Sequence, residues 1–465
     1  MTSDHFVIVG NGAAGFRAAK ALRRADTGAQ ISLFTQEPHP FYLRRQLGEF
    51  LAGHLTLPEV LFQSRNAYRR ERIDLFLETP IVRIDPAAHD VVFASGQRVR
   101  YDRLLVATGT RSEPPAIPGA ERRGVARFDT LAAAVQMKET LGRVRRAVIL
   151  GEGLIGLTLA ESLAVRGIRV TQLVPEGRFW PAMLDETAST LVEGVLEAGG
   201  VELVRGAAAT AIVGAVDQVA GVQIADGRTL PADLVACGGR RRPAVELLEG
   251  CGIEVGRGIR VDAALRTNQP DVFAAGDVAE LAGAEDSDGD TTAFCWQRAW
   301  AQGGLAAAGM LGRKAEPLAE AMRIRTVIFG VDLAVIGRGN LPAGGNVEVF
   351  EFRREPNLYR RLVFQSGLLA GAIVLGTAEL VHELNRLTAQ RAPREKVEHA
   401  MGLAGEPTAE VAFTQTFAAH CPICAAELVV HAGTRTGSTM RCPSCNVNLA
   451  IGWDGRRGWL DVGRL

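Results

Sequence analysis

Three glycines near the N-terminus have the spacing of a loop that binds phosphate groups. A short apolar strand runs directly into them: Gly10, Gly12 and Gly15. In a Gly-x-Gly-x-x-Gly loop the first glycine makes the tight turn, the second lets the backbone approach a pyrophosphate, and the third lets helix and strand pack closely. An alanine-rich helix that begins at Ala13 and Ala14 would hold the anion at its N-terminus.

The same pattern occurs a second time, later in the chain. Its glycines again follow an apolar strand: Gly151, Gly153 and Gly156. Leu154 and Ile155 take the places that Ala13 and Ala14 have in the first copy. One such loop is a weak signal, but strand, turn and helix follow in the required order both times. The chain is therefore predicted to bind two dinucleotides.

An acidic side chain about 20 residues beyond the third glycine holds a ribose hydroxyl in many dinucleotide sites. In the first copy Glu37 lies 22 residues beyond that glycine. In the second copy the strand 168–174 ends without an acid, and Glu176 is the nearest candidate. We expect these two carboxylates to bind the riboses. No cluster of arginines accompanies Glu176, although Arg178 is close, and this favours NADH over NADPH.

Two apolar strands end in small residues that leave backbone groups open to a ligand. The strand at 103–106 leads into Ala107, Thr108 and Gly109. The strand at 233–237 leads into Gly238 in the same way. The second strand is similar to the first, which supports an internal duplication.

Seven cysteines are unevenly placed, and none occurs before Cys237. Four of them form two Cys-Pro-x-Cys pairs separated by 17 residues: Cys421, Cys424, Cys442 and Cys445. Two such pairs can place four thiolates around one metal ion. Tetrahedral sulfur sites suit both zinc and iron. The spacing favours zinc, and iron is the alternative.

The composition is that of a globular protein without an excess of either charge. Apolar residues make up 47% of the 465 residues and charged residues 22%, with 52 basic and 52 acidic side chains. This balance argues against nucleic acid as a partner. No apolar run approaches the roughly 18 residues of a membrane span, and the first strand begins too early for a signal peptide. We expect a cytoplasmic protein that does not bind a membrane.

A chain of this length predicts several domains. We expect an α/β fold with two Rossmann-like dinucleotide-binding domains, an α+β C-terminal domain and a small metal-binding ribbon. The predicted bounds are 1–119 with 238–320 for the first dinucleotide domain, 120–237 for the second, 321–390 for the α+β domain, 391–416 for a linker and 417–465 for the ribbon.

Four motifs occur in a fixed order along the chain: Gly10/Gly12/Gly15, Ala107-Thr108-Gly109, Gly151/Gly153/Gly156 and Gly276-Asp277. In this order they resemble the FAD-dependent pyridine nucleotide–disulfide oxidoreductase superfamily over residues 5–390. The segment Pro40-Phe41-Tyr42-Leu43-Arg44 is similar to one in NADH–rubredoxin reductases and in the flavin domains of nitrite reductases. The four-cysteine region resembles a zinc ribbon or a rubredoxin.

The resemblance implies that the first glycine loop binds FAD and the second binds NADH or NADPH. By the same resemblance Asp277 would bond to the ribityl chain of FAD, and Arg44 would lie near its diphosphate. A helix N-terminus after Gly276 would stabilise negative charge on a reduced flavin. The implied activity is that of an NAD(P)H-dependent reductase. Its electrons would pass through flavin to a rubredoxin, a ferredoxin, an oxygenase component or its own metal ion.

Two departures from the superfamily pattern bear on the mechanism. The disulfide branch of the superfamily has a cysteine pair or a lone cysteine near residue 43. No cysteine occurs in the first 236 positions of this chain, so thiol-based reduction at that position is excluded. Many relatives carry glutamate two residues after the third glycine of the NAD loop, where this chain has Thr158. Hydride transfer depends on stacking and orientation, so we assign no residue as a catalytic acid or base.

Two other functions are compatible with these motifs. One is an NADH oxidase that passes electrons to oxygen, which without a cysteine would form peroxide. The other is a flavoprotein scaffold whose zinc ribbon docks a partner. The motifs specify neither the physiological electron acceptor nor the oligomeric state.

Overall fold

A computed structural model describes most of the chain. The described residues are 4–239, 241–281, 296–314, 322–355, 358–377, 380–401, 416–421, 426–432, 434, 438–444, 447–453 and 458–462. Two five-stranded parallel sheets, a five-stranded antiparallel sheet and several smaller sheets form within them. The predicted α/β class with Rossmann-like domains is thereby confirmed.

The first unit begins with a parallel sheet and the helix that follows its first strand. Its elements are β1 (His5–Val9), α1 (Ala13–Ala25), β2 (Gln30–Phe34), α2 (Leu47–Ala52), α3 (Leu57–Val60), α4 (Arg65–Arg70), β3 (Asp74–Phe76), β4 (Ile81–Asp85), β5 (Asp90–Phe93), β6 (Arg98–Arg100), β7 (Arg103–Val106) and β8 (Thr110–Ser112). The side chains of β1 are buried after its first residue, because this strand lies between β2 and β7. Buried on both faces, it is apolar without alternation.

The second unit follows directly. Its elements are β9 (Val125–Arg127), α5 (Leu131–Thr140), β10 (Arg146–Leu150), α6 (Leu154–Val165), β11 (Arg169–Val174), α7 (Glu186–Ala198), β12 (Val201–Arg205), β13 (Ala209–Ala215), β14 (Gln218–Ile224), β15 (Thr229–Pro231) and β16 (Leu234–Cys237). The parallel sheet has the order β12-β11-β10-β16-β9, and β13, β14 and β15 form an antiparallel sheet. The strand that precedes the second glycine loop, β10, is again central.

The chain then returns to the first unit. The returning elements are β17 (Arg241–Pro243), β18 (Ile259–Val261), β19 (Val272–Ala274), β20 (Ala279–Leu281) and α8 (Trp296–Met310). At the crossing, β17 pairs antiparallel with β8. Strand β19 joins β7 and completes the first sheet in the order β19-β7-β1-β2-β3.

The two parallel sheets support the predicted duplication. In each, the strand that leads into a glycine loop has the next strand of the unit on one side. On its other side lies the strand that ends in small residues, β7 in the first sheet and β16 in the second. Because the carboxyl ends of parallel strands share one edge, each glycine loop lies beside the small residues that follow β7 or β16.

The third unit is an antiparallel sheet with two helices. Its elements are β21 (Met322–Ile328), β22 (Val331–Gly337), β23 (Val347–Glu355), β24 (Leu358–Gln365), β25 (Leu368–Leu375), α9 (Val381–Ala389) and α10 (Arg394–Ala400). Helix α10 lies inside the segment 391–416 that the sequence predicts as a linker. Val397 is its one fully buried residue, and it packs with Leu387 and Ala392. Two apolar residues in seven, Val397 and Ala400, are too few for a clear helical periodicity, so the sequence pattern missed this helix.

Polar contacts join the third unit to the second. Tyr359 Oη donates to Asp185 Oδ2 at 2.9 Å, and both side chains are buried. The amide of Phe329 donates to Glu161 Oε1 at 2.8 Å. These contacts place β21 beside α6, where the two elements form part of a cavity wall.

The C-terminal ribbon consists of short hairpins that pack against the first unit. Its strands are β26 (Phe417–His420), β27 (Glu427–Val430), β28 (Thr439–Arg441), β29 (Asn448–Trp453) and β30 (Gly458–Val462). Leu428 and Leu449 belong to the same apolar core as strand β1. Hydrogen bonds from Thr56 lower the pKa of the exposed Glu59 carboxyl, and the charge of Arg441 lowers it further. Arg441, at the end of β28, is therefore close enough to α3 to act on the Glu59 carboxyl.

Candidate dinucleotide sites

One large cavity is shared by the first three units. Its volume is about 1270 Å³, whereas sites for single small molecules occupy roughly 300–1,000 Å³. The first glycine loop contributes residues 10–14. The second loop contributes Gly151, Glu152, Gly153, Leu154 and Ile155. The structure thus brings both predicted loops to one space that is large enough for parts of two ligands.

Close backbone contacts shape the first loop. A Cβ atom on Gly15 would collide with the carbonyl oxygen of Gly10, and one on Gly10 would collide with that of Ala107. In contrast, a Cβ atom on Gly12 would meet nothing within 4 Å. Gly12 is the N-cap of α1, and residues 13–14 of its first turn line the cavity. The unpaired amides of a helix N-terminus at such a space form an anion site.

A buried amide beside this loop indicates a ligand. Asn11 Oδ1 accepts a hydrogen bond from Tyr68 Oη at 3.0 Å, but Asn11 Nδ2 has no partner within the described part of the chain. A buried donor without an acceptor costs about 1–3 kcal/mol. Asn11 lines the cavity, so a phosphate or ribose oxygen bound there would satisfy it. The residues around the first loop therefore fit a dinucleotide.

Glu37 and Arg44 lie together on the cavity wall, joined by Tyr42. Arg44 Nη2 lies 2.8 Å from Glu37 Oε1, and Tyr42 Oη donates to Glu37 Oε2 at 2.7 Å. The guanidinium of Arg44 lies 5.1 Å from the centre of the Tyr42 ring and donates to the carbonyl oxygen of Asp129. Each carboxylate oxygen keeps a further acceptor site. Glu37 can thus accept from a ribose hydroxyl while Arg44 holds it in place.

The small residues after β7 line the same cavity. Thr108 and Gly109 lie beside the first glycine loop. Thr108 Oγ1 donates its hydrogen to the carbonyl oxygen of Ala244 at 2.8 Å. Its hydroxyl therefore ties the first unit's two segments together, and only its lone pairs remain for a ligand.

Gly276 and Asp277 line the cavity after β19. The amide of Gly276 donates to Gln302 Oε1 at 2.7 Å, which fixes the turn. Burial raises the pKa of Asp277, and nearby guanidinium groups, that of Arg241 first, oppose this rise. A buried carboxyl group is costly without hydrogen-bond partners, so this position suits a hydroxyl-rich ligand.

The second loop repeats the close contacts of the first. A Cβ atom on Gly156 would collide with the carbonyl oxygen of Gly151, just as a Cβ atom on Gly15 would collide with that of Gly10 in the first loop. A Cβ atom on Gly151 would lie 2.8 Å from the carbonyl carbon of Gly238. Gly238 therefore takes the role that Ala107 has in the first unit, as the duplication predicts.

The second loop differs at its middle glycine, where an aromatic ring stands. A Cβ atom on Gly153 would lie 3.4 Å from the indole of Trp180. The amide of Trp180 donates to Glu152 Oε2 at 3.3 Å. Burial raises the pKa of Glu152. The second loop is thus covered by a side chain at the position where the first loop is open.

Glu176 does not lie on the cavity wall. Its side chain is exposed, and the cavity lining after β11 includes Pro175, Trp180 and Met183 but not Glu176. The strand ends at Val174, so the turn that follows carries Glu176 past the edge. The role of Glu176 as the second ribose ligand therefore stays a prediction.

No thiol lines the cavity in the described residues. Cys237 ends β16 and is buried, and burial raises the pKa of its thiol to about 11. A thiol with so high a pKa carries little thiolate at neutral pH. The thiol of Cys237 is therefore unsuited to redox chemistry.

Two of the four predicted metal ligands belong to the described residues. Cys421 and Cys442 are buried, and the backbone amide of each donates to the carbonyl oxygen of the residue five positions later. The amide of Cys421 donates to the oxygen of Ala426 at 2.8 Å, and that of Cys442 to Val447 at 2.9 Å. The other two predicted ligands lie outside the described residues: Cys424 and Cys445. Within the described ranges no group of three or more metal-binding side chains occurs.

Sequence reasoning missed three side chains that shape the cavity. Tyr42 lies in a segment that the resemblance had singled out, but its hydroxyl was given no role. Arg241 Nε donates to Thr110 Oγ1 at 2.8 Å, across the pairing of β8 and β17. Such a contact between distant segments leaves no local signal. Trp180 likewise reaches the second loop only through the fold of the turn after β11.

Comparison with known proteins agrees with this geometry. A family model described as pyridine nucleotide-disulphide oxidoreductase matches residues 4–303. The chain is 28% identical over 395 residues to the assimilatory nitrate reductase electron transfer subunit of Bacillus subtilis. The aligned region covers 84% of this chain and 50% of that protein. It is 36% identical over 277 residues to the ferredoxin–NAD(+) reductase component of the biphenyl dioxygenase system of Paraburkholderia xenovorans. This aligned region covers 59% of this chain and 67% of that protein.

A solved ferredoxin reductase from Rhodopseudomonas palustris has the same fold, with a TM-score of 0.74 at 26% identity over 84% of this chain and 98% of that one. The chain spans about half the length of the Bacillus relatives that it matches. Among the described helices, none has the length and apolar character to cross a membrane. With a family model matched from residue 4 to residue 303 and two glycine loops at one cavity, the chain belongs to the pyridine nucleotide–disulphide oxidoreductase family.

Proposed function

We propose that this chain is an FAD-dependent NAD(P)H reductase that passes electrons to a redox partner. The observation that supports this most strongly is the pair of glycine loops that open from two units onto one cavity. Two dinucleotides held by these loops would reach the same space. Electron transfer between them requires such proximity and orientation.

The first unit supplies the residues that would hold FAD. The N-terminus of α1 and the unpaired amide of Asn11 would bind the pyrophosphate, and Glu37 would bind the ribose. Arg44 would neutralise phosphate charge, and Asp277 would accept from the ribityl chain. A bound FAD supplies the capacity to accept a hydride and to release electrons singly.

The second unit supplies the residues that would hold NADH or NADPH. The N-terminus of α6 would bind the pyrophosphate, and Gly238 leaves room for the loop beside it. Arg178 is the single basic residue between β11 and α7. Because a 2′-phosphate needs a basic partner and usually more than one hydrogen bond, we propose NADH as the preferred coenzyme.

The electron acceptor in this proposal is a small electron-carrier protein or an oxygenase component. No described residue of the cavity wall is a cysteine, and no cysteine occurs in the first 236 positions, which supports an acceptor other than a disulfide of this chain. Relatives named as a ferredoxin–NAD(+) reductase component and as an electron transfer subunit support a protein acceptor.

Turnover with cytochrome c tests this assignment. We expect slow oxidation of NADH by the protein alone and a marked increase when a ferredoxin or rubredoxin is added. Rapid oxidation with matching formation of peroxide, unchanged by carriers, would identify a peroxide-forming NADH oxidase instead. If NADH is not oxidised under any of these conditions, the alternative function, a flavoprotein scaffold with a partner-docking ribbon, is favoured.

We also propose that Cys421, Cys424, Cys442 and Cys445 hold one metal ion, with zinc favoured over iron. The matching backbone bonds of Cys421 and Cys442 support this, because each closes a turn between two strands. Four thiolates satisfy a tetrahedral zinc ion and give a small unit its folding energy. We propose a structural or docking role for the metal, because no described residue beyond Asp332 lines the cavity.

The variant Cys442→Ser should lose the metal but keep reduction of the flavin by NADH. We expect metal content to fall about tenfold, because one of four ligands is gone. Metal analysis and limited proteolysis measure this, with Cys251→Ser as the control, since Cys251 is a partly buried cysteine of the first unit. Stoichiometric iron that NADH reduces would overturn the zinc proposal and make the ribbon an electron carrier.

A further inference from the structure

The two glycine loops differ in what stands over their middle glycine. The space that a Cβ atom would take on Gly12 has no atom within 4 Å. The same space on Gly153 lies 3.4 Å from Cε2 and 3.5 Å from Nε1 of Trp180. The middle glycine lets the backbone approach the pyrophosphate of the bound dinucleotide. The indole of Trp180 therefore lies against the position that a second dinucleotide must take.

The backbone of Trp180 is held from several sides. Its amide donates to Glu152 Oε2 at 3.3 Å, and its carbonyl oxygen accepts from the amides of residues 183–184 at 3.0 Å. The preceding Phe179 is buried, and its carbonyl oxygen accepts from Ser189 Oγ at 2.7 Å. The φ angle of Trp180 is +50°, a left-handed conformation that is rare for bulky residues. The ring can therefore leave the loop only by rotation of the side chain.

We infer that Trp180 covers the second glycine loop and that the coenzyme binds only after the indole has rotated away. This inference rests on the proposed function of that loop as the NAD(P)H site. Trp180 packs with the apolar core of the second unit, so rotation gives up part of those contacts. The binding of the coenzyme must supply that free energy. Its apparent affinity is therefore the intrinsic affinity multiplied by the fraction of molecules in which the indole has left the loop.

Binding of ADP-ribose to the FAD-loaded protein tests the inference without any redox step. This fragment carries the pyrophosphate of NADH and lacks the nicotinamide. We expect Trp180→Ala to bind ADP-ribose about tenfold more tightly than the wild type, measured by calorimetry. Alanine keeps the left-handed backbone, so the two proteins differ chiefly in the ring. Equal affinity, or weaker binding by the variant, would overturn the inference.

A second measurement follows the indole in the unaltered fold. The chain has five tryptophans, and labelling with 5-fluorotryptophan gives each a fluorine resonance. The resonance that disappears in Trp180→Phe belongs to Trp180. We expect saturating ADP-ribose to shift this resonance and to leave that of Trp300 in place, because Trp300 is buried in the first unit. An unmoved Trp180 resonance in the saturated protein would overturn the inference.

Failure of the inference and failure of the proposed function give different results. If only the inference is wrong, the wild type binds ADP-ribose and NADH reduces its flavin, but removal of the indole does not strengthen binding. If the second loop is not the coenzyme site, neither protein binds ADP-ribose, and both proposals are overturned.

Discussion

Gly12→Glu should give a folded protein that has lost FAD. The backbone at Gly12 is extended, with φ of −82°, and a Cβ atom there meets nothing within 4 Å. A glutamate therefore fits the fold, and its carboxylate at the N-terminus of α1 stabilises the helix by about 0.3–1 kcal/mol. The same carboxylate occupies the anion site and repels a pyrophosphate. We expect affinity for FAD to fall at least about 100-fold, which is about 2.8 kcal/mol.

Flavin content and thermal unfolding separate binding from folding in this variant. The melting temperature of the flavin-free variant should match that of flavin-free wild type. Gly142→Glu is the control, because Gly142 is exposed, has open space around its Cβ position and lies away from the cavity. If Gly12→Glu purifies with a full complement of tightly bound FAD, the first loop is not the FAD site.

Gly153→Asp should abolish reduction of the flavin by NADH while FAD stays bound. Gly153 has φ of +117°, which a residue with a Cβ atom adopts only under strain. The aspartate also places a negative charge at the second pyrophosphate position. The first unit, which would hold FAD, is unchanged. We expect the second-order rate constant of flavin reduction to fall at least about 100-fold, in line with a charge conflict of about 2.8 kcal/mol.

Stopped-flow absorbance gives this rate constant directly. Gly227→Asp is the matched control, because Gly227 also has a positive φ of +88°, lies in the same unit and is exposed in the turn before β15. The flavin of the Gly227→Asp control should be reduced by NADH at the wild-type rate. An unchanged rate in Gly153→Asp would show that NADH binds elsewhere.

The sequence predicted the two sheets and their loops because those features depend on local order. A strand, three glycines and a helix specify a turn whose close contacts admit no other residue, as Gly15 and Gly156 show. Where residue type and spacing alone determine the geometry, sequence reasoning was sufficient.

The features that sequence reasoning missed depend on how irregular segments fold, and residue type and spacing do not determine this. Glu37 was predicted as a ribose ligand, but its pairing with Arg44 and Tyr42 requires the fold of the segment between them. Glu176 was predicted as the nearest acid after β11, and its exposed side chain is not among the residues that line the cavity. Trp180 reaches Gly153 only because its backbone is held in a left-handed conformation.

Anaerobic titration of the purified full-length chain with NADH tests the central claim most directly. We expect a yellow protein whose flavin absorbance bleaches in proportion to the NADH added, until each bound FAD has taken up one hydride. A carrier protein added afterwards should restore the oxidised spectrum. A protein that contains no flavin, or whose bound flavin keeps its oxidised spectrum in excess NADH and NADPH, would contradict the account.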